Sequence, residues 1–153
     1  MQIRRIATMT KQFVWQSYYN DLIHVLNAGD VQNSDKIAAY DMDGTIITTK
    51  SGRVFPIDYN DWRLLYEDRT REKLESLYRE GYKIVVITNQ AGIANGKLKL
   101  EDFHSKVENI VKKLNRGNSQ HLTLPIQLFC SAASRYQCLQ ISGYFGGGLG
   151  LGI

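Results

Sequence analysis

The sequence predicts an α/β fold built on a parallel sheet, because three strand-like runs alternate with two helix-like segments. The runs KIAAY, KIVVIT and IQLFC are short and apolar, as buried parallel strands are. Strands that alternate with helices pair in parallel through crossover connections. Ligands of such sheets bind at the carboxyl ends of the strands, so we expect a site just after Tyr40, Thr88 and Phe129.

Two helices are predicted between these strands. Thr70 can cap the first, which has Leu74 and Leu77 on one face and ends before Gly81. The second has apolar residues at the i, i+4, i+7, i+8 and i+11 positions, which are Phe103, Val107, Ile110, Val111 and Leu114.

Residues 1–35 are predicted to form an N-terminal helical segment. From Phe13 to Leu26, aromatic and aliphatic residues recur at helical spacing, and Gly29 follows as a stop. A helix that packs on the core is the favoured interpretation. An aromatic surface that stacks on the bases of a single strand is the alternative.

Composition narrows the class of protein. The length of 153 residues and the 43% hydrophobic fraction fit one globular domain, and no apolar run reaches the ~20 residues of a membrane span. The net charge of +4 is compatible with a polyanionic partner, although Lys and Arg are not clustered. Cys130 and Cys138 are expected to be free thiols, and His24, His104 and His121 match no metal spacing. We expect a nuclear or cytoplasmic protein, and the basic, acid-free start leaves mitochondrial targeting open.

The residues that carry chemistry follow the first predicted strand. Asp41 and Asp43 are two residues apart, and a carboxylate can attack phosphorus while a second carboxyl passes the leaving-group proton. Alternatively, both are turn residues beside Gly44, a common use of Asp and Gly. Thr88 favours the first interpretation, because it ends the next buried strand where Val or Ile is expected and can bind a phosphoryl oxygen beside Asp41.

Three stretches, YDMDGTIITTKSGRVFP, DWRLLY and GYKIVVITNQAGIANGKL, resemble the phosphatase domain of the polynucleotide kinase 3'-phosphatases. This family belongs to the haloacid dehalogenase superfamily, whose first motif is DxDGT and whose second is a Ser or Thr at the end of a core strand. The resemblance covers about residues 36–134. It implies a Rossmann-like parallel sheet of the haloacid dehalogenase type, incomplete here, with the first three core strands and a flap hairpin.

The resemblance also implies roles for five residues. Asp41 would be the nucleophile that forms an aspartyl-phosphate, and Asp43 the general acid and then base. The Asp41 carboxylate and the Asp43 backbone carbonyl would bind Mg²⁺. Thr45 would orient Asp43 beside the substrate phosphate, which Thr88 and the amides around Asn89 would hold.

The resemblance further implies a flap hairpin from Ile46 to Phe55 that turns at residues 51–52. A short flap leaves the site open to a nucleic-acid end. Lys50 and Arg53 on this flap are candidate contacts to the DNA backbone, although solvated hairpin-edge charges are an equal alternative.

The chain departs from the family after Tyr136, where a lysine and later an acidic pair would follow. From Cys130 to Ile153 there is no Lys, Asp, Glu or His. Residues 36–136 are therefore predicted to be a partial phosphatase domain, and residues 137–153 a divergent glycine-rich tail that is disordered. We expect a fragment, an alternatively spliced product or an incorrect gene model, with impaired activity and with the first strand left as a bare edge.

The leading functional prediction is removal of a 3'-phosphate from DNA ends in strand-break repair. The partners implied are DNA ends with a 3'-phosphate and DNA-repair scaffold proteins, with no membrane. One alternative is a small-molecule phosphatase of the same superfamily, which the DMDGT motif permits. The other is a catalytically dead module that binds nucleic-acid ends or a repair partner.

Overall fold

The structure, a computed structural model, describes residues 12–118 and 121–134. Residues 135–153, which include the predicted tail and Cys138, lie outside the described residues. The described elements are β1 (Phe13–Tyr18), β2 (Ile23–Ala28), β3 (Ile37–Asp41), β4 (Ile47–Thr48), β5 (Arg63–Leu64), α1 (Asp68–Arg79), β6 (Lys83–Asn89), α2 (Ala91–Ala94), α3 (Leu100–Leu114) and β7 (Ile126–Ser131).

The predicted alternation of strands and helices is confirmed. The main sheet has the order β1-β2-β7-β6-β3, and β3, β6 and β7 pair in parallel. Asp41 pairs in register with Ile87, and Ile87 with Phe129, so the three carboxyl ends lie side by side. β3 forms an edge of the described sheet, and its Ile37 is 58% exposed.

The helix predicted from Phe13 to Leu26 is wrong, because this segment is a β-hairpin. β1 and β2 pair antiparallel, and β2 continues the sheet through an antiparallel pairing with β7. Tyr19, Asn20 and Asp21 form the turn with φ values of 54°, 52° and 62°. Asn and Asp tolerate this left-handed conformation, and aromatic and β-branched residues favour strands.

One face of the sheet forms the core with α1 and α3. Phe103, at 0% exposure, packs in one cluster with Leu26, Ile84 and Leu128 of the sheet and with Leu74 of α1. α1 begins at Asp68 rather than at the predicted cap, and the Thr70 hydroxyl donates to the Leu65 carbonyl instead. Among the described residues, no helix combines the length and apolar composition needed to cross a bilayer.

The flap differs from the predicted hairpin. β4 pairs with β5, so Ile47 lies opposite Leu64, and the intervening residues form a long loop rather than a hairpin closed at residues 51–52. The Asp61 carboxylate holds this loop by accepting hydrogen bonds from the Ser51 amide (2.8 Å), the Ser51 hydroxyl (2.7 Å) and the Ile57 amide (2.9 Å). The Ser51 hydroxyl bond and then the Ile57 amide bond lower the pKa of Asp61 to about 2.

Candidate active site

The end of β3 and the loop that follows it present two carboxylates to solvent. Met42 is 1% exposed and anchors the loop in the core, while Asp41 and Asp43 on either side are exposed. The Met42 carbonyl accepts hydrogen bonds from the amides of Ile46 (3.0 Å) and Ile47 (3.1 Å). Gly44 has a φ of 78°, a conformation that other residues rarely adopt. The DMDGT motif thus fixes the two acids by burying the residue between them.

Two neighbours hold the Asp43 carboxylate, one at each oxygen. The Gln90 side-chain amide donates to Oδ2 at 2.8 Å. The Lys106 Nζ lies 3.8 Å from Oδ1, and the Lys106 side chain is 7% exposed whereas that of Asp43 is 54% exposed. Gln90 follows β6 and Lys106 lies on α3, so the position of Asp43 depends on three elements.

Thr88 lies at the end of β6 and is 3% exposed. Its Oγ1 accepts a hydrogen bond of 2.8 Å from the same Gln90 amide that holds Asp43. A hydroxyl that accepts in this way still has its own proton to donate. The structure therefore leaves the Thr88 hydroxyl able to donate to an anion at the edge of the sheet.

Two cavities open at the strand ends. The first, of about 740 Å³, is lined by Asp41, Thr88 and Asn89 together with residues such as Ile87 and Phe129 on the sheet face opposite α1 and α3. The second, of about 520 Å³, is lined by Asp43, Asn89, Lys106 and part of the flap loop. Because Asn89 borders both, the two carboxylates face adjoining spaces.

The other predicted site residues lie at different distances from this centre. Arg53 lines the 520 Å³ cavity, whereas Lys50 is exposed and is not among the residues that line it. Thr45 lines a separate cavity of about 320 Å³ beside Tyr66 and Arg69. In the described part of the chain, no hydrogen bond joins the Thr45 side chain to Asp43, so its role stays a prediction.

The Asp41 carboxylate and the Asp43 carbonyl oxygen are ligands of the kind that Mg²⁺ binds. Mg²⁺ in phosphoryl-transfer sites is held by one or two carboxylates, substrate phosphate and waters. Asp41 offers an exposed carboxylate, and among the described residues no backbone amide donates to the Asp43 carbonyl oxygen. The same residues contain no cluster of three or more His, Cys, Asp or Glu side chains suited to a metal. The fit therefore requires substrate and water as the remaining ligands.

Cys130 and the histidines take no part in this centre. Burial, and then the Asp43 charge, raise the pKa of Cys130 to about 12, which keeps its thiol protonated and unreactive. His104 stacks on Trp15 with a ring separation of 3.8 Å, and the His24 ring hydrogen-bonds the Asp21 carbonyl. Burial is the main cause that lowers the pKa of His104.

Gln90 and Lys106 were not predicted from the sequence to belong to the site. Gln90 directly follows the predicted phosphate-binding pair of Thr88 and Asn89, so its position was a usable signal. Lys106 gave a weaker one, because a lysine three residues after Phe103 and one before Val107 falls on the apolar face of its helix.

A family model and two curated proteins are similar to this chain over most of its length. The family model described as polynucleotide kinase 3 phosphatase matches residues 36–137. A bifunctional polynucleotide phosphatase/kinase from Schizosaccharomyces pombe is 33% identical over 111 residues, 72% of this chain and 25% of that protein. The polynucleotide 3'-phosphatase ZDP from Arabidopsis thaliana is 32% identical over 124 residues, 78% of this chain and 16% of that protein.

A viral protein is also similar to this chain. An uncharacterized 20.8 kDa protein of the Autographa californica nuclear polyhedrosis virus is 48% identical over 77 residues, 50% of this chain and 41% of that protein. The chain thus spans less than half the length of these curated relatives.

The solved structure is a D,D-heptose 1.7-bisphosphate phosphatase from B. bronchiseptica complexed with magnesium and phosphate. It aligns with a TM-score of 0.51 and 15% identity, covering 72% of this chain and 64% of its own. At that identity it supports the fold alone, a mixed α/β fold of the haloacid dehalogenase type. By its sequence match and its fold, the chain belongs to the polynucleotide kinase 3 phosphatase family, a family of phosphatases.

Proposed function

We propose that this chain carries a polynucleotide 3'-phosphatase site that acts through an aspartyl-phosphate. The observation that supports it most is the Asp43 carboxylate, which Gln90 and Lys106 hold beside the strand end that carries Asp41. A fixed second carboxyl is what protonation of an alkoxide leaving group requires. The family match over residues 36–137 and the named activity of the Arabidopsis relative support the choice of a 3'-phosphate.

The proposed reaction has two steps. An Asp41 carboxylate oxygen attacks phosphorus, the bond from phosphorus to the sugar O3' breaks, and Asp43 gives its proton to that oxygen. Asp43 then takes a proton from water as the water attacks the phosphoryl group and releases phosphate and the Asp41 carboxylate. The Thr88 hydroxyl donates a hydrogen bond to a phosphoryl oxygen, and the amides around Asn89 donate hydrogen bonds to the others.

The Asp41 carboxylate and the Asp43 carbonyl oxygen would hold Mg²⁺. When bound, this ion neutralises charge on the phosphate and so lets an anionic nucleophile approach. DNA ends that carry a 3'-phosphate are the proposed substrate, and Arg53 at the cleft is the proposed backbone contact, with Lys50 further out. Strand-break repair, a nuclear location and DNA-repair scaffold partners complete the proposal.

The test is phosphate release from a 3'-phosphorylated single-stranded oligonucleotide with Mg²⁺. Asp41→Asn should abolish phosphate release by the purified chain, because an amide is no nucleophile at phosphorus. Asp35→Asn, an exposed acid before β3, is the matched control. A substantial residual rate in Asp41→Asn would refute the assigned nucleophile.

The substrate preference of the chain distinguishes the proposed function from its two alternatives. A sugar phosphate and a 5'-phosphorylated oligonucleotide are compared by kcat/KM in the same assay. Equal values for the sugar phosphate and the 3'-phosphorylated oligonucleotide would favour the small-molecule phosphatase. Salt-sensitive binding of the oligonucleotide without turnover would favour the binding module.

A further inference from the structure

Lys106 is a charged residue on the face of α3 that packs into the apolar core. The residues that α3 buries follow a helical stripe, and they are Phe103, Lys106, Val107, Ile110, Val111 and Leu114. Lys106 is thus the one charged residue among the buried residues of α3. A lysine that buries its hydrocarbon stem in an apolar core still needs solvent or an anionic partner for its ammonium group, so the group that this ammonium faces bears on function.

The partner of Lys106 is Asp43. Among the described residues, its Nζ forms an ion pair with Asp43 Oδ1 at 3.8 Å. That distance is longer than the 2.7–3.2 Å typical of an N–H···O hydrogen bond, so the two groups interact as an ion pair without a hydrogen bond. Lys106 also lines the 520 Å³ cavity that Asp43 borders. The ammonium group therefore lies at the wall of the cleft, with its hydrocarbon stem buried in the core.

Lys106 and Gln90 together restrict the Asp43 carboxylate. Gln90 donates to Oδ2 and the Lys106 charge lies beside Oδ1, so rotation of the carboxylate away from this orientation loses one contact or both. Gln90 alone leaves Oδ1 unrestrained, and Asp43 is 54% exposed, so solvent competes for it. A misplacement of about 1 Å in a catalytic group can cost about 100-fold in rate, so the orientation of a proton donor matters.

We propose that Lys106 is a positioning residue for Asp43, which it holds so that the carboxyl group points at the leaving oxygen of the substrate. This proposal rests on the proposed function for the role of Asp43 as general acid. It assigns Lys106 no contact with the substrate.

The leaving group provides the test. A sugar O3' must be protonated as it leaves, whereas the p-nitrophenolate of p-nitrophenyl phosphate leaves without a proton. We compare kcat/KM, which reports the steps through release of the first product, for both substrates in the whole chain. In Lys106→Met we expect a loss of roughly 10- to 100-fold for the 3'-phosphorylated oligonucleotide and less than about threefold for p-nitrophenyl phosphate. Lys106→Arg should recover most of the loss.

Control variants and outcomes separate this role from others. Lys113→Met, an exposed lysine on the same helix, should leave both values unchanged. Equal losses for both substrates in Lys106→Met would overturn the proposal and indicate a cation that binds the phosphate. Unchanged values for both would overturn it as well.

A second measurement does not depend on turnover. Urea unfolding of Lys106→Met, Asp43→Asn and the double variant forms a double-mutant cycle, and we expect effects that do not add, since the two groups interact. Additive effects would overturn the proposal. If the chain hydrolyses p-nitrophenyl phosphate and glycerol phosphate but not the oligonucleotide, the proposed substrate is wrong. Glycerol phosphate, whose leaving group also needs a proton, then replaces the oligonucleotide in the test of Lys106.

Discussion

Replacement of Thr88 by valine tests whether the end of β6 binds the phosphate. Valine has nearly the same shape as threonine, and residue 88 is 3% exposed, so the variant keeps the packing and removes only the hydroxyl. The Gln90 amide then loses one acceptor, Thr88 Oγ1 at 2.8 Å, and keeps the other, Asp43 Oδ2 at 2.8 Å. The perturbation is therefore confined to one hydrogen-bonding group.

The expected sizes of the two effects differ. Loss of a neutral hydrogen bond costs at most about 1.5 kcal/mol of unfolding free energy, and the half-buried Gln90 can recover part of it from water. A hydrogen bond to a charged phosphoryl oxygen contributes about 1.5–3 kcal/mol. At about 1.4 kcal/mol per factor of ten, its loss should lower kcat/KM roughly 10- to 150-fold.

The assay is phosphate release from the 3'-phosphorylated oligonucleotide, with urea unfolding of the same samples. Thr88→Ser is the matched control, since it keeps the hydroxyl and loses only a methyl group. It should retain most of the activity. If Thr88→Val stayed within twofold of the wild-type kcat/KM, or if Thr88→Ser lost as much, the hydroxyl would not bind the phosphate.

Three further predictions concern the scaffold. Asp61→Asn should expose the Ser51 and Ile57 amides to hydrogen exchange and raise KM, and amide exchange as slow as in the wild type would contradict this expectation. Because the folded-state pKa of Asp61 is lowered to about 2, the stabilisation that its carboxylate contributes is present above about pH 4 and is lost toward pH 2. Phe103→Ala should lower the unfolding free energy by about 3–5 kcal/mol, as urea denaturation would measure, because the side chain is fully buried. His104 has a lowered pKa, so the unfolded state binds more protons and stability should fall as the pH drops below about 6.5; His104→Phe should flatten that dependence in thermal melts.

The three parallel strands and α3 could be predicted because each is specified locally. KIVVIT is bounded by Gly81 and by polar residues, and its β-branched residues fit a buried strand. The hairpin of β1 and β2 could not be separated from a helix in this way. Trp15, Tyr18 and Leu22 satisfy the helical period. The turn requires positive φ values from Tyr19 to Asp21, and the long-range pairing of β2 with β7 favours the hairpin despite them.

The flap shows the same limit. A Ser-Gly pair after a short strand favours a local turn, and Gly52 does adopt a φ of 74°. The partner of β4 is nevertheless β5, more than ten residues further along, because Ile47 and Leu64 bury each other in the core at 1% exposure each. Asp61 then closes the loop through hydrogen bonds that a local pattern does not contain.

Some residues of the candidate site could be predicted from local sequence, and others depend on long-range packing. Asp41, Asp43 and Thr88 lie where they were expected, because a strand end is marked in the sequence and parallel strands bring their carboxyl ends to one edge. The distance between Lys106 and Asp43 depends instead on how α3 crosses the sheet, which Phe103 and Val107 set through packing. A lysine on an apolar helical face is therefore a signal that something anionic lies across the core, while the identity of that anion requires the fold. Here the fold supplies the Asp43 carboxylate, which we propose as the proton donor.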